Sequence, residues 1–453
     1  MKKFIIFALI CLVNNFLFAQ GSTMEKQQEL QINQDYIGYY SGDLIIDDNN
    51  KLPIIVEIKD NLVLFSSPAQ NANNIELSYN IENNNIKIES NQFKFSIEGI
   101  ITKDSIIGKF KQSGMDFNIQ LDKKDASEIN SINRPQTPKT FNYETKDITI
   151  TNKINDRKYY GSLTTPIENT QNTIILFITG SGIQDRDEEL FNHKPFLVIS
   201  NYLTNNGYYT LRFDDYGFHG EDITDQTTYD IIDDISSQID YIKTELPNLK
   251  IVLLGHSEGA IVAQALANKV DAIILESGPA ISGEETYKFQ VLHALEVNNA
   301  NQNTLDLFSG KIDEVTSALM NDDLSIKQKK AVVVPYIKML GNNNNESIEA
   351  SFNTLSSKWY TTFLKINPRD YIKKINVPTL VLQGTNDTQV DADLNIPIYK
   401  ELLKSDKKII VYKDYNHLLQ KSTTGEVSEY NQIQTTIEPN VLVDILNFLN
   451  SLN

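Results

Sequence analysis

Residues 250–267 read KIVLLGHSEGAIVAQALA, an aliphatic run that stops at Gly-His-Ser-Glu-Gly and resumes at once as an alanine-rich, helix-forming stretch. An apolar run without polar alternation suits a strand buried on both faces. Such a strand needs cover on each side, which calls for a mainly parallel sheet flanked by helices. The surrounding chain has the matching rhythm. NTIILFITG leads into helix-patterned PFLVISNYLTNNG, followed by YYTLRFDD, a helix over 228–246, the run at 250, a helix over 260–268 and DAIILESG. Residues 280–372 then interrupt with polar-rich, mostly helical sequence. TLVLQG, a helix over 393–403, KIIVYKD and a last helix over 439–452 complete the alternation. An insertion at that point is expected to form a helical cap over a site.

The first part of the chain has a different period. From Tyr36 to Leu121, short alternating runs such as LPIIVEIKD, NIKIES and SIIGKFKQ are separated by Asn- and Asp-rich turns. Residues 30–124 therefore read as a small antiparallel all-β domain, a sandwich or a barrel. It contains no His or Cys and offers no catalytic cluster. The polar stretch 125–140, with Pro135 and Pro138, reads as a linker to a second domain over 141–453. A chain of 453 residues suits more than one core.

The chain opens MKKFIIFALICLVNNFLFAQG, two lysines before an apolar run, with Ala19 closing it. This pattern reads as a secretory signal peptide, residues 1–19, and implies export to the periplasm or beyond, with no stable membrane span after cleavage. The single cysteine, Cys11, lies in that segment. The mature chain would then have no disulfide, zinc–thiolate site or cysteine nucleophile. A net charge of −18 argues against a nucleic-acid partner.

Gly-x-Ser-x-Gly between a buried strand and a helix is the arrangement that presents a nucleophilic serine, here Ser257. Gly255 and Gly259 let strand and helix approach closely, and the helix N-terminus directs amides and its positive dipole end at charge forming beside the serine. A serine hydroxyl needs a base within hydrogen-bond reach. The chain has five histidines. His256 adjoins the serine and would point elsewhere, His193 and His219 precede it, and His293 sits in a helical part of the insertion. His417, in VYKDYNHLLQ, follows the last strand at the carboxyl end of the sheet and is the expected base. Asp387, just past TLVLQG, is the expected acid partner. Asp391, nearer a helix start, suits a cap, and Glu276 remains the rival. For an oxyanion, the expected donors are the backbone N–H of Glu258 and one from Gly180-Ser181-Gly182, Ser181 favoured and Gly182 the alternative.

Those residues resemble the α/β-hydrolase superfamily over residues 141–452. GSGIQDRDE, LRFDDYGFHGE, LGHSEGA, KWYTTFLKINP and VLQGTNDTQV…YNHLLQ look more narrowly like secreted bacterial serine esterases with a small β domain ahead of the hydrolase domain. The resemblance implies a triad of Ser257, Asp387 and His417, an oxyanion hole at Ser181 and Glu258, a small-molecule ester as substrate, and no cofactor. It sets Gln184, Asp185 and Arg186 in a motif after the oxyanion loop, read as substrate contact or as an Asp185/Arg186 ion-pair scaffold. The chain departs from these relatives at Tyr216 and Phe218-His219-Gly220, where they usually carry an arginine and a small glycine turn. That loop is expected to border the site. Trp359, with Tyr360 and Phe363, is placed as an acyl-pocket wall or as part of the insertion's core. The pairs Asp214-Asp215 and Asp233-Asp234 are expected as caps or solvated faces, not as a metal site. A serine peptidase of the same fold and a ligand-binding role for the β domain are the alternatives, and the sequence is silent on oligomeric state.

Overall fold

The computed structural model describes residues 32–45, 51–67, 72–90, 95–112, 115–125, 134–341 and 344–452. The expected leader with Cys11 and part of the expected linker, residues 126–133, lie outside them.

Eight strands form a closed antiparallel barrel: β1 (Gly38–Ile45), β2 (Lys51–Ile58), β3 (Val63–Ser67), β4 (Ala72–Glu82), β5 (Asn85–Ser90), β6 (Phe95–Ile101), β7 (Ser105–Gln112) and β8 (Met115–Lys124). Closure comes from β1 pairing with both β2 and β8, which leaves no exposed edge. Alternate residues point inward, as Ile54, Val56 and Ile58 do on β2. Tyr40 and a cluster of Phe65, Phe95 and Phe110, with ring centroids 4.7 to 6.2 Å apart, fill the interior.

The second sheet has eight strands in the order β16-β15-β14-β13-β11-β12-β10-β9. They are β9 (Tyr143–Thr151), β10 (Lys158–Pro166), β11 (Thr173–Ile178), β12 (Tyr209–Phe213), β13 (Lys250–His256), β14 (Ala272–Glu276), β15 (Thr379–Gly384) and β16 (Lys407–Tyr412). From β11 to β16 every pairing is parallel, whereas β10 runs antiparallel to β12 and β9 antiparallel to β10. Every residue of β11, β14 and β15 is buried, as their unbroken apolar sequence requires.

Helices α1 (Pro195–Asn205), α2 (Thr228–Glu245) and α3 (Glu258–Leu266) belong to the central crossovers. Between β14 and β15 come six more, α4 (Gly283–Val297), α5 (Gln302–Met320), α6 (Ile326–Met339), α7 (Asn345–Leu355), α8 (Lys358–Lys365) and α9 (Arg369–Ile372). After β15 follow α10 (Ala392–Leu402), α11 (Val427–Tyr430) and α12 (Pro439–Ser451). One face of the sheet packs on α2, α3 and α10 through Ile239, Val262 and Ile396. The other packs on α1 and α12 through Phe196, Ile199, Ile445 and Phe448.

The insertion has its own core, including Tyr287, Phe308, Ile312, Tyr336 and Phe352. Reciprocal capping boxes at Ser282/Glu285 and Ser325/Gln328 start α4 and α6. Its two ends meet, because Gly283 N–H donates to the Ile366 carbonyl at 3.0 Å.

Part of the stretch read as a solvated linker is docked instead. Arg134 is buried and donates to the carbonyls of Phe191, Asn431 and Ile433, and Gln136 accepts from the N–H groups of Thr436 and Ile437. A run of polar residues can be a set of side chains that satisfy another segment's backbone, which local composition cannot distinguish from solvation. Among the described residues no helix is long and apolar enough to cross a membrane.

Candidate active site

Ser257 occupies the junction of β13 and α3 with φ 52° and ψ −118°, a conformation an L-residue adopts only when its surroundings enforce it. The surroundings are tight. A Cβ on Gly259 would stand 2.3 Å from the Ile178 carbonyl oxygen, and one on Gly255 2.3 Å from the Gly259 carbonyl oxygen, so neither position admits a side chain. Ser257 N–H donates to the Glu276 carbonyl at 3.0 Å, tying the turn to the neighbouring strand. The helix begins at Glu258, earlier than the expected 260, because the serine itself makes the turn.

Asp387 and His417 come together from the loops after β15 and β16. His417 Nδ1 lies 2.8 Å from Asp387 Oδ2, and both residues are buried. A carboxylate only accepts, so the proton of that bond is on Nδ1, and it is at Nε2 that the neutral ring presents its lone pair. Asp387 is held by further donors: Oδ1 takes the N–H groups of Gln389 and Val390 at 2.9 and 2.8 Å, and Oδ2 takes Gln383 Nε2 at 2.8 Å. Asp391 caps α10 through the Leu394 N–H. Glu276 sits at the end of β14 beside His256, away from the Asp387 pairing.

Ser257, His417, Ser181, Glu258 and Trp359 all line one cavity of about 130 Å³ roofed by the insertion. Trp359 and Phe363 stack at 5.4 Å on α8, so the tryptophan both faces the cavity and packs on the insertion's core. Its Nε1–H donates to Glu258 Oε1 at 3.1 Å, and Thr228 Oγ1–H donates to the same oxygen at 2.6 Å. Burial raises the Glu258 carboxyl above its ordinary range. Gly182 lines a smaller, neighbouring cavity and not the main one.

The segment after β11 is anchored by acids that the sequence suggested were caps or solvated. Asp214 and Asp215 follow β12 directly and are directed inward. Arg186 donates to Asp214 through Nε at 2.9 Å and through its terminal nitrogen at 2.6 Å, and to Asp147 at 3.2 Å. The expected Asp185/Arg186 pair does not form, since Asp185 accepts the Glu189 N–H instead. Asp215 accepts from Thr179 Oγ1–H and Gln184 N–H, and burial pushes it up to about 8. Asp234 is also buried, paired with Arg157 at 2.8 Å, while Asp233 is exposed as expected. Gln184 lines the main cavity, whereas Arg186 does not. The 216–220 loop does not reach that cavity either. Tyr216 faces the smaller one, and His219 turns back to Asp214 at 3.1 Å. Among the described residues no cluster of His, Cys, Asp or Glu could hold a metal ion.

One residue escaped the sequence reading altogether. Glu188, fully buried with φ 52°, accepts from Gly180 N–H at 2.7 Å and faces His256 Nδ1 at 2.9 Å. The only signal for it was its place at the end of the GSGIQDRDE motif. As expected, His256 points away from Ser257, and its Nε2 faces the His417 carbonyl at 3.2 Å.

Residues 196–423 match the model of the hydrolase family described as serine aminopeptidase, S33. Esterase EstD of Thermotoga maritima is 24% identical over 284 residues, covering 61% of this chain and 60% of EstD. A monoglyceride lipase homolog of monkeypox virus is 27% identical over 209 residues, covering 45% of this chain and 68% of the viral protein. The chain thus spans only part of the length of these curated relatives. Among solved structures, the Pyrococcus furiosus esterase Pf2001 aligns over 68% of this chain and 91% of its own, at 15% identity and a TM-score of 0.42. Est1E from Butyrivibrio proteoclasticus aligns over 68% and 98%, at 16% identity and a TM-score of 0.40.

Proposed function

Because the chain belongs to the α/β-hydrolase family described as serine aminopeptidase, S33, we propose that it is an exported serine hydrolase of carboxylic esters. Ser257 attacks the ester carbonyl while His417 Nε2 takes its proton. Asp387 holds the imidazole in the required tautomer and stabilises the imidazolium. The tetrahedral oxyanion rests on the amides of Glu258 and Ser181. Protonated His417 then passes its proton to the departing alcohol, and the acyl group stays on Ser257. Water, deprotonated by His417, releases the acid and restores the serine. The leader at residues 1–19 would direct the chain across the membrane.

The single observation that carries this reading is the 2.8 Å His417–Asp387 pair opening into the same cavity as the strained Ser257. Ser181 is supported as the second oxyanion donor because Gly180 N–H is already engaged by Glu188 and Gly182 faces the other cavity. The word esterase in the name of EstD agrees with the ester preference.

The family description keeps a peptidase reading in view. An aminopeptidase must seat a substrate ammonium, and Glu258 is a carboxyl lining the cavity. Its Oε1 already accepts from Thr228 and Trp359, and burial favours its neutral form, both of which count against an ammonium site.

The test is hydrolysis of p-nitrophenyl esters from acetyl to dodecanoyl and of aminoacyl p-nitroanilides by the mature chain, with Ser257→Ala as the blank. The proposal expects ester rates to fall by about 10⁴-fold or more in Ser257→Ala. Amide rates exceeding ester rates would overturn the ester preference, and no Ser257-dependent rate on either would overturn the hydrolase.

A further inference from the structure

His256 is a buried histidine at the wall of the main cavity that the proposed reaction does not use. Its Nε2 faces the carbonyl oxygen of His417 at 3.2 Å, an atom that can only accept, so Nε2 carries a proton. Its Nδ1 faces Glu188 Oε1 at 2.9 Å, and that oxygen is itself accepting from the Gly180 N–H at 2.7 Å. An oxygen turned towards two nitrogens, one of them an obligate donor, is placed to accept from both. Opposite an ionised Glu188, a neutral imidazole has one N–H and would forfeit one of the two bonds, inside a site where an unmade bond is costly. With the carboxylate as acceptor, the arrangement is satisfied only by an imidazolium.

We propose that His256 is a fixed imidazolium whose two N–H groups clamp the loop carrying Gly180 and Ser181 to the loop carrying His417, with Glu188 as its counter-ion and both residues acting as positioning residues. The clamp joins three places remote in sequence: the turn after β11, the residue before Ser257, and the loop after β16. The His256 and His417 rings lie 4.7 Å apart, so a shift of one is felt by the other. A Cβ on Gly180 would stand 3.2 Å from Ser257 Cβ, 3.3 Å from His256 Nδ1 and 3.4 Å from Glu188 Oε1, which shows how closely the loop is drawn in.

The titratable groups facing this imidazole are Glu188 on the loop after β11, Glu276 at the end of β14 and His417 on the loop after β16. Burial disfavours a charged His256, but Glu188 and Glu276 override it and raise its pKa above the ordinary histidine range. Burial also raises Glu276, so its support of the charged imidazole grows as it ionises, whereas Glu188 is in direct contact.

The consequence for rate rests on the reading of Ser257 and His417 as nucleophile and base, whereas the charge on His256 does not. The test therefore has two arms, both on the mature chain. In the first, ¹⁵N NMR of imidazole-labelled protein at about pH 7.5 should show His256 with both ring nitrogens protonated. That signal should be missing in His256→Gln and reduced to one protonated nitrogen in Glu188→Gln. A His256 with a single protonated nitrogen in the wild type overturns the proposal.

The second arm follows ester hydrolysis and Ser257 labelling by a fluorophosphonate against pH. Glu188→Gln should lower kcat about 10- to 100-fold with KM within about twofold, the cost of a small misplacement of reacting groups. Its alkaline limb should also fall at lower pH than in wild type, because the imidazolium has lost its counter-ion. Unchanged kcat and pH profile in Glu188→Gln, with the charged signal present in wild type, would overturn the positioning role. Failure of the wild type to label at Ser257 would refute the hydrolase reading and leave the first arm standing.

Discussion

His417 Nδ1 and Asp387 Oδ2 stand 2.8 Å apart, both residues buried, with the other oxygen of the carboxylate occupied by two backbone N–H groups. The carboxylate is thus aimed before any substrate arrives. Asp387→Asn should keep the fold and disturb the tautomer, since an amide nitrogen can donate towards Nδ1. We expect kcat to fall by about 10³- to 10⁴-fold with little change in KM, measured with p-nitrophenyl acetate and with circular dichroism as the folding control.

Trp359 should govern acyl-chain length. Its ring walls the cavity, stacks on Phe363 and donates to Glu258. In Trp359→Ala the ratio of octanoyl to acetyl kcat/KM should rise about tenfold, the gain expected where the vacated space admits about one further methylene. Trp359→Phe, which retains most of the wall, should move the ratio far less. A ratio unchanged in both variants would mean that the acyl group lies elsewhere.

Arg186 is expected to act on stability. Its guanidinium holds the buried Asp214 through two bonds, and its removal leaves that carboxylate with His219 as its remaining side-chain partner. Arg186→Met should cost about 3 kcal/mol by urea denaturation, as for other broken buried pairs. Arg186→Met with Asp214→Leu should recover much of the loss, because no charge is then left stranded.

His193 gives a pH dependence of definite sign. It is buried between Thr436 and the Tyr430 carbonyl, and burial lowers its pKa from 6.5 to about 4. The unfolded chain takes up a proton near pH 6.5 that the folded chain refuses until about 4. The stabilisation is therefore complete above about 6.5 and lost as pH falls towards 4, up to about 3 kcal/mol. Asp185 and Asp215, raised to about 6 and about 8, work in the opposite sense. The measurement is accordingly the difference between wild type and His193→Gln in unfolding free energy from pH 7 to about 4. A difference that does not change with pH would refute it.

The sheet and its helices were legible because an unbroken aliphatic strand carries its burial in its own sequence. β11, β13, β14 and β15 are of that kind. Ser257 and Asp387 could be singled out for a related reason: each lies at or just past the end of such a strand, whereas His417 follows the half-exposed β16 and was reached by elimination among five histidines. What the sequence hid depends on contacts between distant segments. Barrel closure through Tyr39 and Lys124 has no local signature, so sandwich and barrel could not be separated. Glu188 reaches a histidine 68 residues away. Arg186 bypasses adjacent Asp185 for Asp214, 28 residues on, because a turn directs neighbouring side chains to different partners. Arg134 looked like linker because its three carbonyl acceptors belong to segments far along the chain.

The bond between Gly283 and Ile366 closes the neck of the insertion between two adjacent strands of the sheet. The polypeptide therefore departs and returns through nearly one point, carrying a unit with its own core that touches the sheet domain through a few side chains, Trp359 on Glu258 and Gln290 on the Gln389 carbonyl among them. Such a unit can be exchanged as a cassette: a graft cut near residues 282 and 367 would bring a new roof and new aromatic walls, while the strand ends bearing Ser257, Asp387 and His417 kept their own supports. In a molecule arranged this way, what is recognised and how it is attacked can diverge on separate schedules.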